Sequence, residues 1–452
     1  MHDLTVKYYK IYILYYLLDK KFQLISQNNT IILIMVKNNS PLMADNTWCK
    51  QQALIILIIA FAVMICGCTG TATDSPQSDQ GNLRTVTDME GRTVIIPNEI
   101  ERVVIIDDGF VEGILYRFGM EDKVVGVGGE CVQKLWEYDF ETADGEKYGF
   151  KNGMNPVLYL MPQLMDLPLV SDGNTGMNYE SLAALDPDLV ILREGAYAFM
   201  AGSDDKLKKT IFTIESLDIP LVILVGPPFQ ERPTVDEIGK EIQLIGEVFS
   251  KEEEARELAS YLETQVSEIR KRVEDVPEDK KPRMMQFGLS PRARQGGGAG
   301  MAWGGDTIES YFIEDIAHAK NAYKGTGAFV VISTEQMLSL DPDVIILPTA
   351  QGYHPAKELY TASYYENLQE LTAVKNKRVY SLPWTPFNWA KRLEYPIEAM
   401  IIAKAAYPDR FSDVNVNEWT LDFYKNVYGV DDETAVQLRN VQWLDWMEEE
   451  NF

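Results

Sequence analysis

The stretch MNYESLAALDPDLVILR, residues 177–193, returns in altered letters as ISTEQMLSLDPDVIILP, residues 332–348. Each copy places a glutamate, Glu180 or Glu335, at the start of an apolar helical run, then Leu-Asp-Pro-Asp, then a short apolar stretch. Proline disfavours helix at the residue before it, so the tetrapeptide ends the helix and turns the chain. The apolar run that follows is too short for a helix and does not alternate, which predicts a strand buried on both faces. A single helix-turn-strand unit is a weak signal. Two of them, about 155 residues apart with the glutamate in the same place, predict two similar lobes.

Working outward, the same grammar recurs. Short apolar runs at RVVII (102–106), VVGVG (124–128), DLVILR (188–193), PLVILV (220–225), RMMQFG (283–288), DVIILP (343–348) and RVYSLP (378–383) are mostly separated by helix-like stretches such as VEGILYRFG and DTIESYFIEDIA. Buried parallel strands alternating with helices give an α/β fold of two lobes with mainly parallel central sheets. Arg84 to Pro97 alternates around Met-Glu-Gly-Arg and reads as a hairpin. One segment breaks the alternation. From Ser250 to Asp275, Ala255, Leu258, Leu262, Val266, Ile269 and Val273 recur at three- and four-residue steps, and Ser250 with Glu253 has the spacing of a capping box. The expected organisation is therefore an N-terminal lobe over 83–249, a long interlobe helix over 250–281, and a C-terminal lobe with terminal helices over 282–452.

The N-terminal region carries addressing information. Residues 53–66, ALIILIIAFAVMIC, are uncharged but too few to cross a hydrocarbon core, which takes about 20 helical residues. They read as the apolar core of a signal peptide over 43–67, with Met43 as its start and residues 1–42 as an upstream extension. Ile65-Cys66-Gly67-Cys68 has the form of a lipobox, making Cys68 the expected lipidated residue, and 68–82 is small and polar, as a flexible tether is. Six of the 42 basic and three of the 68 acidic residues precede Cys68, which leaves 36 and 65, a net charge of −29. That field disfavours nucleic acid and anionic membrane surfaces as partners. Cys131 is the single cysteine after Cys68, so no disulfide framework is expected.

Several chemistries lack their residues. There is no Gly-x-Ser-x-Gly and no His-Glu-x-x-His, and only His318 and His354 follow Cys68. An enzyme is not expected, nor a resident cofactor, nor a bare transition-metal site, which wants imidazole and carboxylate clusters. His318, within IEDIAHAKN, reads as a structural residue on a helix. The glycine run QGGGAG, 295–300, lacks both the P-loop ending and the dinucleotide-fold spacing. A mobile cleft-edge loop is the expectation for it.

From about Val86 to Tyr424 the chain resembles the type III solute-binding proteins of ABC importers for iron-siderophore, haem and vitamin B12. The resemblance rests on the opening VTDMEGRTVIIPNEIERVVII, the unit GILYRFGMEDKVVGVG, the paired Leu-Asp-Pro-Asp strands, the mid-chain helix, the closing YPIEAMIIAKAAYPDRF, and the lipobox. It implies two α/β lobes joined by one long helix, with a ligand held between them, and a monomer serving an ABC permease and its ATPase from the outer face of the cell membrane. It also implies that Glu180 and Glu335, one per lobe, pair with arginines of the permease. The loops after the strands, where open α/β sheets bind ligands, then supply the candidate ligand-binding residues. From the first half come Glu130, Trp136, Arg193, Tyr197, Phe229 and Arg232; from the second, Arg292, Arg294, Trp303, Tyr353, His354, Trp384, Phe387, Trp389 and Arg392. Aromatic faces and guanidinium forks suit a shell-like anionic ligand such as a ferric siderophore-like chelate. Two alternatives stay open: corrinoid or haem, with His354 or Tyr353 as axial ligand, and a tethered sensing or adhesion ectodomain without a permease.

Overall fold

The computed structural model describes residues 22–27, 30–35, 82–172, 176–196, 204–229, 233–348, 352–386 and 388–452. The chain divides into two compact units, 1–78 and 79–452. In the first, β1 (Phe22–Gln27) pairs antiparallel with β2 (Thr30–Met35). The expected signal peptide, Cys68 and the tether lie outside the described residues. No described helix is long and apolar enough to cross a membrane.

The second unit opens with the expected hairpin, β3 (Leu83–Thr87) against β4 (Thr93–Pro97). In chain order there follow β5 (Val103–Ile106), β6 (Val124–Val127), a second hairpin of β7 (Trp136–Glu141) and β8 (Lys147–Gly153), the short pair β9 (Ser171–Asp172) and β10 (Gly176–Met177), then β11 (Leu189–Glu194) and β12 (Leu221–Val225). The first lobe's sheet has the order β12-β11-β5-β6 and is parallel throughout. The second lobe holds β13 (Arg283–Gly288), β14 (Gly300–Ala302), β15 (Lys320–Asn321), β16 (Val330–Ile332), β17 (Val344–Leu347) and β18 (Val379–Ser381). Its order is β16-β14-β13-β17-β18 with β15 also on β13, and only β14 is reversed, pairing antiparallel with both β13 and β16. All seven apolar runs singled out in the sequence are strands.

The repeat owes its form to a bonding scheme used twice. In the first lobe, α1 (Phe110–Arg117) follows β5, and α2 (Tyr179–Ala184), capped by Asn178, precedes β11. The first aspartate of each Leu-Asp-Pro-Asp adopts a left-handed conformation, φ 44 at Asp186 and φ 33 at Asp341, and so turns the chain out of its helix. The second aspartate then clamps the entry of a neighbouring strand. Asp188 accepts from the amides of Glu101 and Arg102 (2.8 and 2.9 Å) ahead of β5, and Asp343 accepts from the Arg283 amide (2.8 Å) at the start of β13. In return the Arg102 guanidinium donates to the carbonyls of Leu185 and Asp186, and Arg283 to those of Leu340 and Asp341. These bonds satisfy carbonyls that a helix end leaves without partners.

Between the lobes, α3 (Ile238–Phe249) and α4 (Glu252–Val273) pack side by side. All six periodic apolar residues of α4 are buried, and the leucine, valine and isoleucine side chains among them are each worth roughly 1.5–3 kcal/mol of transfer free energy. The expected capping box is corrected: Ser250 is the left-handed C-terminal residue of α3 (φ 55), and α4 starts after Lys251 with no side-chain cap. The chain turns sharply enough here that Ser250 ends one helix instead of starting the next. In the second lobe α5 (Thr334–Leu340) has its own capping box, Ser333 with Gln336. Then come α6 (Tyr395–Ala406), buried on nearly every side, α7 (Val416–Tyr428) and α8 (Asp432–Val441). His318 is also corrected: it lies just beyond the helical turn Phe312–Ile316, in a left-handed conformation (φ 53), and its carbonyl accepts from the Tyr407 hydroxyl at 2.7 Å.

One hydrophobic cluster runs from Val103 and Ile105 of β5 through Ile242 of α3 and Leu262 of α4 to Met284 of β13 and Ile401 of α6. Each sheet packs its other face on a separate cluster of its own. Lobes that share a continuous apolar core cannot separate as freely as domains joined by a small polar interface.

The candidate ligand cleft between the lobes

At the carboxyl end of β5, Asp107 Oδ2 accepts from the amides of Phe110 and Val111 (2.6 and 2.9 Å) and so starts α1. Gly109 between them has φ 111, and a Cβ there would meet the Asn155 side chain at 2.6 Å, so only glycine fits. Asn155 in turn donates to the Asp108 carbonyl at 2.7 Å. On β11, Arg193 is engaged by the protein itself. Its Nε and Nη2 reach the two oxygens of Glu241 on α3 (2.6 and 2.8 Å), Nη1 donates to the Lys391 carbonyl (2.7 Å), and the guanidinium lies 3.9 Å from the centre of the Phe110 ring. Arg392 donates from Nε to the Asp108 carbonyl at 2.6 Å and from Nη2 to Pro386. Two of the five arginines expected to face a ligand, Arg193 and Arg392, are thus buried, 1 % and 2 % exposed, and bonded to the chain. Nothing in the local sequence of Arg193 signals Glu241, 48 residues away.

The expected aromatic residues gather in two groups. Trp136 meets Trp384 edge-on with centroids 5.5 Å apart, Tyr353 lies 4.9 Å from Phe150, and Trp384 stacks on Trp443 at 5.3 Å. The Tyr353 hydroxyl donates to the Trp443 carbonyl at 3.0 Å. Trp136 and Phe150 belong to the β7–β8 hairpin of the first lobe, so this cluster crosses the cleft. Gly153 leaves room for it, since a Cβ there would strike both indoles. In the second group Trp303 packs on Phe329 (5.5 Å) and Phe329 on Trp389 (4.8 Å). A Cβ on Gly288, at the end of β13, would sit 3.0 Å from Trp303 and 3.7 Å from His354 Nε2, so these two side chains meet at that strand end. Sequence reasoning passed over the β7–β8 hairpin and Trp443. The hairpin did carry a signal: Trp136, Tyr138 and Phe140, then Tyr148 and Phe150, alternate on either side of Asp144-Gly145.

A third bridge is polar. Tyr138 of the hairpin donates to Glu358 Oε2 at 2.5 Å, Tyr364 donates to Oε1 at 2.7 Å, and Arg294 bonds the Tyr365 hydroxyl at 2.5 Å with its guanidinium 4.1 Å from the Tyr364 ring centre. Arg294 is half-buried, Arg292 beside it is exposed, and Glu130 is half-buried on a single helical turn after β6. Phe229 closes the single-turn helix Pro227–Phe229, while Tyr197, Arg232 and Phe387 lie outside the described residues. The glycine run, expected as a mobile loop, is instead the tight connection that folds β14 onto β13. Gly297 has φ 81, and a Cβ on Gly300 would strike the Gly288 carbonyl. Glu180 and Glu335 lie exposed in the first turns of α2 and α5, one on each lobe.

Buried acid accumulates at the junction. Glu112 on α1 is 0 % exposed, and both its oxygens lack a hydrogen-bond partner among the described residues. Burial, reinforced by Asp107 and Asp108, pushes its carboxyl well above the usual range. Burial also raises Glu358 and Glu394, and takes Glu241 to about 7 against the pull of Arg193. Such groups keep a proton in the native chain that the unfolded chain releases above about pH 4.3. The stability they contribute is therefore present at low pH and lost as pH rises through their folded values. Carboxyls shifted downward, such as Asp275 and Asp413, are fully exposed and screened. The melting temperature should be higher near pH ~5.5 than near pH ~8. Glu112→Gln, neutral at both, should raise it at the upper pH by a few degrees, at roughly 2 °C per kcal/mol, and flatten the slope. Scanning calorimetry at both values checks this, and an unchanged slope in the variant would count against a protonated Glu112.

A pocket of about 90 Å³ lies between Pro233, after β12, and Asp306, Thr307, Tyr311, Glu314 and Asp315 of the second lobe, among others. It is well below the roughly 300–1,000 Å³ of small-molecule sites, and its acid lining does not suit an anionic chelate.

The arrangement of two sheets around a shared helix has counterparts. The sequence pattern of the family described as periplasmic binding protein matches residues 104–385, from β5 to the loop after β18. The molybdate-binding protein MolA of Haemophilus influenzae is 27 % identical over 367 residues, 76 % of this chain and 91 % of that protein. Its molybdate-bound crystal structure aligns with a TM-score of 0.58 at 23 % identity, over 77 % of this chain and 98 % of that one. The uncharacterized ABC transporter substrate-binding lipoprotein YvrC of Bacillus subtilis is 24 % identical over 369 residues, 80 % of this chain and 99 % of that protein. The Fe(3+)-citrate-binding protein YfmC of the same organism is 21 % identical over 350 residues, 76 % and 94 %. With the family's pattern spanning both lobes and the helix that joins them, the chain belongs to the periplasmic binding protein family: it is an extracytoplasmic substrate-binding protein of an ABC importer, working with a permease and an ATPase and performing no chemistry of its own.

Proposed function

We propose that this protein captures an iron complex, a ferric siderophore-like chelate, between its lobes and delivers it to the permease while held to the outer face of the membrane through a lipid on Cys68. The observation that carries the reading is the gathering of aromatic side chains at the lobe junction, Trp136 on Trp384 and Trp303 with Phe329 and Trp389, together with Arg294 against the Tyr364 ring. Flat apolar faces flanked by guanidinium groups suit the periphery of a chelate better than a naked ion. Imidazole ligation has little support: His354 is 1 % exposed against Gly288 and Trp303, and His318 lies past a helix end. The Fe(3+)-citrate name of YfmC points the same way, and the lipoprotein name of YvrC agrees with the Cys68 lipobox.

A second reading, molybdate, is favoured by the 27 % identity to MolA. Haem and corrinoid remain the alternatives within the same importer type.

Tryptophan fluorescence separates these, because Trp136, Trp303, Trp384 and Trp389 sit at or near the lobe junction. The unit from Asp79 should be titrated with ferric citrate, a hydroxamate ferric siderophore, haem, cobalamin and molybdate. Saturable quenching at micromolar concentration or below by a ferric chelate supports the proposal. Quenching by molybdate alone would replace it. Silence across the panel would shift the proposal to a different ligand class.

A further inference from the structure

The segment after β18 reaches from the second lobe into the first, and two of its residues, Lys391 and Arg392, are each bonded to both lobes. Lys391 is left-handed (φ 59), a conformation that costs a non-glycine residue roughly 1–2 kcal/mol. Its ammonium, 5 % exposed, is held by Glu398 of α6 at 2.8 Å and lies 5.0 Å from the Phe312 ring centre, both in the second lobe. Its carbonyl accepts from Arg193 of β11, in the first lobe. Arg392 makes the reciprocal link. Nε donates to the Asp108 carbonyl at the end of β5, and Nη2 donates to Pro386 on its own side. A Cβ at Gly226, just after β12, would lie 3.3 Å from Ala390, so glycine there lets the segment seat against the first lobe's strand ends.

We propose that Lys391 and Arg392 are positioning residues that fix the angle between the lobes, and with it the shape of the cleft that grips the ligand. The apolar core that the lobes share is non-directional and tolerates rocking. Charge-assisted hydrogen bonds discriminate angle and distance. A strained backbone persists only where its surroundings over-determine it, and Lys391 is pinned by a side chain in one lobe and by a carbonyl in the other. These bonds, with the Tyr138–Glu358 bond at the other side of the junction, are therefore directional elements able to select one lobe angle among those the core allows. The inference rests on the family assignment and is independent of which ligand is carried.

Spin labels on Ser216→Cys and Ser339→Cys, both exposed and one on each lobe, report the interlobe distance in the unit from Asp79. The native Cys131 is buried and stays unlabelled. The parent should give one narrow distance peak. Arg392→Lys keeps the charge but cannot bond Asp108 and Pro386 from one planar fork, and should widen the distribution and lengthen its mean. Lys391→Gly removes the anchor while suiting φ 59 and leaves buried Glu398 with Asn388 as its side-chain partner; it should lower the melting temperature and change the distance distribution in the same way, and it carries the test if Arg392→Lys does not fold. An unchanged distribution in Lys391→Gly, whether or not stability falls, would overturn the proposal. Half-buried Arg272→Ala, which removes the pair with Asp413, should leave the distances as they are in the parent.

Discussion

The double variant Glu180→Ala with Glu335→Ala should bind ligand as the parent does and fail to support uptake. Both carboxylates are exposed and sit in the first turns of α2 and α5, where the helix dipole favours them but no described ion pair holds them. Their loss should move stability by no more than about 0.5 kcal/mol, as for ordinary surface substitutions. At a protein interface the same groups act differently. Truncating one partner of a buried charge pair costs about 2–5 kcal/mol of association free energy, so removing two, one on each lobe, leaves little docking at cellular concentrations. Each single variant should retain reduced uptake, because one lobe can still engage. Cell uptake of radiolabelled ferric chelate, read beside the fluorescence affinity, decides the matter. Full uptake by the double variant with normal expression would remove both glutamates from the docking surface.

Arg193→Ala carries the largest expected effect on folding. The substitution leaves Glu241, 0 % exposed, without the guanidinium that now meets both its oxygens, and takes the donor from the Lys391 carbonyl. Removing one partner of a buried pair costs about 3–5 kcal/mol, because Glu241, which burial already lifts to about 7, must then stay inside without the guanidinium or take up a proton. Against a total stability of roughly 5–15 kcal/mol that is a large share. In urea the midpoint should fall with the slope unchanged. Replacing both partners, Arg193→Met with Glu241→Leu, should recover most of the loss, since apolar side chains of similar volume fill the site without a buried charge. A single variant within ~1 kcal/mol of the parent would show that water reaches Glu241 and that the pair is not dry.

Reading the sequence found the lobes because lobes are built from local rules. The alternation of buried strands and helices, the Leu-Asp-Pro-Asp turns and the apolar stripe of α4 are each contained within about 20 residues, where periodicity and turn chemistry act. One local reading went astray at Ser250. Its spacing to Glu253 fits a helix start, yet α3 already occupies the chain up to Phe249, and the residue serves as the turn out of it. Local patterns compete for the same residue, and the fold decides between them.

What each charged or aromatic side chain does was settled only by the tertiary structure. An arginine in a loop after a strand looks the same whether it awaits an anion or is bonded to a glutamate 48 residues on, as Arg193 is, or to a carbonyl 284 residues back, as Arg392 is. Trp443 joins Trp384 and the β7–β8 hairpin across hundreds of residues, and no short window contains that contact. The sequence by itself determined two α/β lobes, the helix between them and the twin glutamates, since these follow from backbone geometry and from repetition. The pairing of buried charges and the closing of aromatic faces across the cleft needed the structure, because an electrostatic or packing partner is set by distance in space, and the chain brings those distances about only when it has folded.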